Sequence, residues 1–242
     1  MTDAEERMHA TTTTTAPAQA APARRGGGWG WTLLPVLLMF VGANLVFAAF
    51  MARLGDPRAA GEASMGIGPV TWSLVHVALF AVAARQLRRS GTSVREVIGY
   101  RRESLGSDAG QAFALAVGGV AIIVAAQALQ APLFGDEPIP FHRWAIVWWT
   151  LVTSVTAGVA EELYFRGFLF RRLGFLSAPA LVGVTSLAFS VWHIAPNLLL
   201  HTFLVGVLWG WAYLRAGRLF PVMLAHVATD VAGGVFMLLG WI

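Results

Sequence analysis

Along most of the chain, apolar residues run on in long blocks broken by short polar stretches, rather than alternating with them. Seven blocks stand out, at about 31–52, 66–87, 110–131, 144–170, 179–196, 198–215 and 219–241. Each is near the roughly 20 residues that an α-helix needs to cross a hydrocarbon core. In lipid the backbone N–H and C=O groups find no water, so only structures that satisfy them internally are viable, and helices do so within one segment. The pattern therefore predicts an all-α fold: a polytopic membrane helix bundle of about seven transmembrane helices. The tightest connection is expected between the fifth and sixth, where Pro196-Asn197 leaves almost no loop. No internal repeat is visible, which counts against a transporter built from inverted halves.

The first 28 residues break the pattern. They are polar, Ala/Pro-rich, contain the run Thr11 to Thr15 and end in Arg24-Arg25-Gly26-Gly27-Gly28. Too little apolar surface is present to offset the entropy of ordering, so 1–28 reads as a disordered cytoplasmic tail. It is too long and polar for the leading region of a signal peptide, and no small-residue cleavage site follows an apolar core. The chain thus divides into this tail, N-terminal transmembrane helices over 29–143, and a C-terminal transmembrane core over 144–242.

Composition sharpens the picture. Of 242 residues, 57% are hydrophobic and only 12% charged, against about 25% charged in soluble domains. Cysteine is absent, which excludes disulfides, iron–sulfur sites and thiol nucleophiles. Every basic side chain is Arg, and with the wealth of Ala and Gly this suggests a GC-rich, bacterial genome. Ten Trp suit the interfacial belts of a membrane protein. Orientation follows from the arginines. With the tail inside, Arg7, Arg24 and Arg25, the connection bearing Arg85, Arg88, Arg89, Arg95, Arg101 and Arg102, the pair Arg171 and Arg172, and Arg215 and Arg218 all lie on the cytoplasmic side. Only Arg53, Arg58 and Arg143 lie outside, so the N-terminus is expected in the cytoplasm of a multi-pass cell-membrane protein.

Ionisable groups within spans are costly and point to function. They gather in the last hundred residues. The fourth block carries Glu161-Glu162-Leu163-Tyr164-Phe165-Arg166, the fifth ends in Phe189-Ser190-Val191-Trp192-His193, and the seventh carries His226-Val227-Ala228-Thr229-Asp230. The first three blocks hold only His76 and uncharged polar residues such as Asn44 and Gln127, so function is expected in the C-terminal half. At about 1.5 Å per residue, Glu161 lies about 15 Å from Arg171, His226 about 12 Å from Arg218 and His193 about 21 Å from Pro179. A shared site near the midplane or in its cytosolic half is compatible with those depths, with His193 its loosest member.

Spacing assigns roles within each helix. Glu162 and Arg166 are four apart and can pair, neutralising two charges that lipid penalises. Glu161 points about 100° away from Glu162, so one acid can be structural while the other faces a cavity. His226 and Asp230 are also four apart, so the carboxylate can orient the imidazole. Two acids and two histidines can activate water against a carbonyl: Glu161 as general base, His193 sharing or relaying its proton, His226 stabilising the oxyanion. No Gly-x-Ser-x-Gly elbow, His-Glu-x-x-His pair or phosphate loop is present, which leaves the usual soluble hydrolase and nucleotide chemistries without support. His76, His142 and His201 read as packing, loop or interface residues. Gly206 and Gly210 read as a close helix contact.

These motifs resemble the CPBP family, the CAAX proteases and bacteriocin-processing enzymes also called the Abi family. Its pattern of Glu-Glu-x-x-x-Arg, Phe-x-x-x-His and His-x-x-x-Asn/Asp is matched by Glu161, Glu162 and Arg166, by Phe189 and His193, and by His226 and Asp230. Phe165-Arg166-Gly167 and Phe203-Leu204-Val205-Gly206 are also similar to the family, and the likeness covers about 144–241. It implies an intramembrane endopeptidase; in the eukaryotic branch such enzymes remove the last three residues of prenylated CAAX proteins. Carried over, Glu161 and His193 would activate water, while His226 with residue 230 would hold the oxyanion, supported by Glu162, Arg166 and Phe189. Here residue 230 is Asp where the best-studied branch has Asn, and an ionised Asp cannot donate a hydrogen bond. It either stays protonated or orients His226. Glu161, His193 and His226 also make a plausible zinc set, so a divalent metal is a candidate cofactor. The expected partners are the lipid bilayer and a peptide or membrane-protein substrate, with no nucleic acid. Two other classes compete: a catalytically idle scaffold or bacteriocin-immunity-type protein of the same fold, and an ion or proton pathway. A complete Glu/His/His set argues against the first. Confinement of charge to two helices argues against the second.

Overall fold

The computed structural model describes residues 30–134, 141–193 and 195–241; the tail expected over 1–28 lies outside them. The described residues form helices and no strands. In chain order these are α1 (Gly30–Leu54), α2 (Pro57–Arg89), a short α3 (Val94–Ile98), α4 (Leu105–Phe134), α5 (143–172), α6 (Ala178–Trp192), α7 (Leu199–Ala216) and α8 (Phe220–Leu239). Every one of the seven apolar blocks becomes a helix, and the all-α bundle expected from the pattern is what forms. Among the described residues, four stretches are long and apolar enough to cross a membrane: Ala59–Arg89, Val94–Leu133, Pro196–Ala216 and Phe220–Leu239. α5 is burdened by Glu161, Glu162, Arg166, Arg171 and Arg172. α6 has 15 residues, about 22 Å, short of a hydrocarbon core of about 30 Å.

The outer surface is what lipid requires. Phe113, Leu129 and Leu133 on α4 are 72%, 72% and 77% exposed, and Leu74 on α2 and Leu151 on α5 are 67%. Apolar exposure on this scale marks a surface that does not face water, and the protein is a multi-pass membrane protein. Inside, the order is reversed. Glu161, Glu162, Arg166, His226, Thr153, Ser154 and Thr229 are buried among Tyr164, Phe165, Phe189, Trp192 and Trp209.

α5 is the axis of the arrangement. It packs on α2 along one side and on α8 along the other, while α8 also lies against α4, α7 against α6 and α4, and α1 against α2. α5 is one rod in which α-helical turns alternate with π-helical segments at Trp149–Thr153 and Leu163–Leu169. Each π segment widens the turn and re-aims the residues that follow, and such insertions recur at functional sites. The second begins directly after Glu162.

Small residues set the helix spacing. A Cβ on Gly158 would lie 2.6 Å from Val227 Cγ2 and 3.0 Å from the Val227 backbone nitrogen, so α5 and α8 approach closely one turn before the paired acids. On α7, a Cβ on Gly206 would meet Ser186 at 3.0 Å, and one on Gly210 would meet Val182 at 3.2 Å. The Gly-x-x-x-Gly pair is thus the seam between α7 and α6.

The fifth block was expected to stay helical to residue 196, but α6 ends at Trp192. Pro196 disfavours helical backbone at the residue before it, and Ala195 is extended, with φ −120° and ψ 114°. His193 therefore stands at the helix end rather than within it.

Candidate active site

Glu161 and Glu162 close the α-helical stretch Ser154–Glu162. Consecutive helical residues diverge by about 100°, and the two acids face different neighbours. Glu161 points between α2 and α6. Its Oε1 accepts hydrogen bonds from His76 Nε2 at 2.9 Å and from Trp192 Nε1 at 2.8 Å. Its Oε2 is buried and has no hydrogen-bond partner among the described residues, and lies 3.8 Å from His226 Nε2.

Glu162 points toward α8. Its Oε1 accepts from Arg166 Nη1 and from His226 Nδ1, both at 2.9 Å. Arg166 Nη2 donates to the Gly206 carbonyl of α7 at 3.3 Å, and the guanidinium lies 4.4 Å from the Phe189 ring centroid. One arginine thereby joins α5, α6 and α7. A buried cation needs such a set of partners, because burying charge is costly unless it is paired and hydrogen-bonded.

His226 sits beneath the Trp209 ring, at 4.6 Å between centroids. Since an ionised carboxylate only accepts, Nδ1 carries the proton shared with Glu162. Nε2 then faces Glu161 Oε2 and Asp230 Oδ2, the latter at 3.6 Å. The His193 ring makes one hydrogen bond among the described residues, from Nδ1 to the Phe189 carbonyl at 2.8 Å. A carbonyl cannot donate, so a neutral His193 presents a bare Nε2. Its ring packs on Phe189 at 4.9 Å, and the opposite neighbour of Phe189 is His226, at 6.0 Å.

Of the residues singled out in the sequence, Glu161, Glu162, Arg166, His226 and Asp230 are thus gathered by direct contacts. Phe189 lies at their centre, and His193 borders the group without bonding to either acid. The reading of His76 as a packing residue is corrected: it is 4% exposed and binds Glu161 directly. Trp192, which carried no role, binds the same oxygen. The signal for His76 was present, since it was the one ionisable residue in the interior of the first three blocks, Arg85 standing at a block end, but a lone histidine on an apolar helix does not reveal its partner. His201 is buried on α7 with Nδ1 lacking a partner among the described residues, and His142 lies against Gly66.

The donor chemistry for a zinc ion is partly right. Glu161 Oε2 and the Nε2 atoms of His193 and His226 are available, and both imidazoles have Nδ1 engaged, as outer-shell bonds hold metal-bound histidines. Yet among the described residues no three histidine or carboxylate side chains converge on a metal position. As placed they do not form a ready zinc site, and no step below is routed through a metal.

The helical membrane protein thus encloses two adjacent buried acids, an internal arginine and histidines from three helices. Residues 143–232 match the family described as type II CAAX prenyl endopeptidase Rce1-like. The match begins at the first residue of α5 and runs to within α8, bearing out the resemblance carried by the motifs, and it supports protease function in general terms. No curated protein and no solved structure matches the chain.

Proposed function

We propose that this protein is an intramembrane endopeptidase that hydrolyses peptide bonds of membrane-associated or lipidated proteins and peptides with water activated by Glu161. The observation that carries the reading is the asymmetry of the Glu161 carboxylate. Oε1 is fixed by two donors, while Oε2 has no hydrogen-bond partner among the described residues and faces His226 Nε2 at 3.8 Å; Glu162 Oε2 is likewise buried without one, but Glu162 is committed to the ion pair with Arg166. A buried acceptor of this kind is costly to maintain for stability alone.

In the first step, Glu161 Oε2 takes a proton from water as the oxygen adds to the scissile carbonyl carbon and the carbonyl electron pair moves to its oxygen. His226, protonated at Nε2, stabilises that oxyanion, and Glu162 holds the ring from Nδ1. In the second step Glu161 returns the proton to the leaving amine as the C–N bond breaks. His193, with a bare Nε2 at the edge of the group, shares or relays this proton. Asp230, beside Nε2 on the same helix, orients His226. Were a divalent metal such as zinc bound, Glu161, His193 and His226 are the residues that would hold it, and it would supply the activation of water. We further infer a bacterial cell membrane as the location, with the N-terminus in the cytoplasm; the arginine distribution supports it.

The test is cleavage of a panel of membrane and lipidated peptides by the purified protein in liposomes, wild type beside Glu161→Gln, with and without a chelator. Removing a general base is expected to cost about 10²–10⁴-fold in rate, with chelation leaving wild type unaffected. Loss on chelation, restored by zinc, would replace the water mechanism by the metal one. If folded wild type cuts nothing, the idle scaffold or immunity-type reading moves ahead.

A further inference from the structure

We infer that His76 is a positioning residue for this hydrolysis: from α2, outside the family-matched stretch, it fixes Glu161 so that Oε2 addresses the reacting water. The inference rests on the proposed endopeptidase reading and adds a residue to it.

Three observations carry it. The first is placement. His76 is buried on a transmembrane helix, where an ionisable side chain is expensive and needs a partner, and the partner is Glu161 at 2.9 Å. The second is that the ring engages α5 twice. Nε2 donates to Glu161, so Nδ1 of the neutral ring is an acceptor; it lies 3.3 Å from Thr156 Oγ1, five residues earlier, whose one hydroxyl proton goes either to Nδ1 or to the Thr153 carbonyl at 3.0 Å. The imidazole is therefore oriented from behind before it reaches the carboxylate. The third is saturation of Oε1. With donors from both His76 and Trp192, the carboxylate cannot turn to exchange its oxygens without breaking two charge-assisted hydrogen bonds.

The consequence is specific. His76 lies on the Oε1 side of Glu161, away from the oxygen that faces His226. It touches neither the water nor the peptide in this mechanism. Its loss leaves Trp192 as the sole donor to Oε1, so the carboxylate gains alternative orientations and the fraction poised for reaction falls. Such a defect appears in kcat and spares KM.

Side-chain reach separates positioning from a structural tie between α2 and α5. The amide nitrogen of Gln extends about as far as the histidine Nε2, whereas that of Asn extends only about as far as Nδ1. His76→Gln is expected to keep kcat within about threefold of wild type, and His76→Asn to lose about 10–100-fold, the usual worth of one hydrogen bond to a charged group. KM should stay within about twofold in both, and the two variants should melt at similar temperatures in the same detergent. Equal kcat for Asn and Gln, whether normal or reduced, overturns the inference. A readout that needs no His76 variant is the ¹⁵N resonance of His76 Nε2 in labelled protein. It should move when Glu161 is changed to Gln, and an unmoved signal also overturns the inference. The two readings fail differently. Wild type that cuts no peptide, or Glu161→Gln that cuts as well as wild type, removes the endopeptidase and His76's role with it. A dead Glu161→Gln beside fully active His76→Asn removes the role of His76 alone.

Discussion

Glu162 holds His226 across the α5–α8 interface, with 2.9 Å between its Oε1 and the imidazole Nδ1. The second acid therefore does more than neutralise Arg166. One oxygen receives the guanidinium from its own helix and the imidazole from the neighbouring one, so fixing the ion pair also fixes the ring proposed to hold the oxyanion. In the proposed mechanism Glu162 reaches the chemistry through His226, while Glu161 meets it directly.

That linkage makes Glu162→Ala costly in two ways. Arg166 is left buried without its counter-charge, a loss of about 3–5 kcal/mol of stability, and His226 loses the acceptor that orients its ring. Glu162→Gln keeps an amide oxygen for the imidazole but not the charge for the arginine. Thermal unfolding in detergent should rank wild type above Gln and Gln above Ala. Cleavage rates should follow the same order. A Glu162→Ala protein as stable as wild type would contradict the buried pair.

Arg166 is expected to be intolerant of Lys. A lysine can keep the charge near Glu162, but not also donate to the Gly206 carbonyl and lie flat on Phe189. Arg166→Lys should lose about 1–3 kcal/mol, and Arg166→Met more, since Glu162 is then the uncompensated charge. Melting curves for both variants test this ordering directly.

Gly158 is a remote position with a sharp expectation. Any side chain there meets Val227, including its backbone nitrogen at 3.0 Å, and backbone cannot step aside without moving α8. Gly158→Ala should cost about 1–3 kcal/mol through overpacking and lower activity by separating Glu162 from His226. Pairing it with Val227→Ala removes the side-chain part of the clash and should restore some of both, measured by melting temperature and by cleavage rate.

Much of this arrangement was readable from residue types, for one physical reason. Lipid makes long apolar blocks obligatory, so the seven helices announce themselves, and it makes charge conspicuous, so Glu161, Glu162, Arg166, His226 and Asp230 stand out against their surroundings. What sequence concealed was pairing in space. His76 is as visible as His226, yet nothing in α2 says that its ring faces Glu161, and Trp192 reads as one of ten tryptophans until its N–H is seen on the same oxygen. The π segments of α5 have no residue signature, because their residues, from Trp149 to Thr153 and from Leu163 to Leu169, are of types that α-helices also carry. The end of α6 at Trp192 was foreshadowed by Pro196, but hydropathy ran past it.

Asp230 provides the last expectation. Its Oδ2 lies 3.6 Å from His226 Nε2, and its side chain is 23% exposed, so it borders the buried group rather than sitting within it. An ionised Asp accepts only and can assist the oxyanion just by orienting His226, whereas an Asn in the same place can turn its amide N–H toward the oxyanion. Asp230→Asn should therefore retain cleavage within about threefold of wild type or exceed it, and Asp230→Ala should fall by about 10–100-fold, as when an outer partner of a catalytic histidine is removed. Steady-state kinetics on a peptide that wild type cuts decide the matter. If Asn and Ala lose activity equally, the negative charge of Asp230 is what His226 requires; if neither loses activity, the residue takes no part and His226 is held by Glu162 alone.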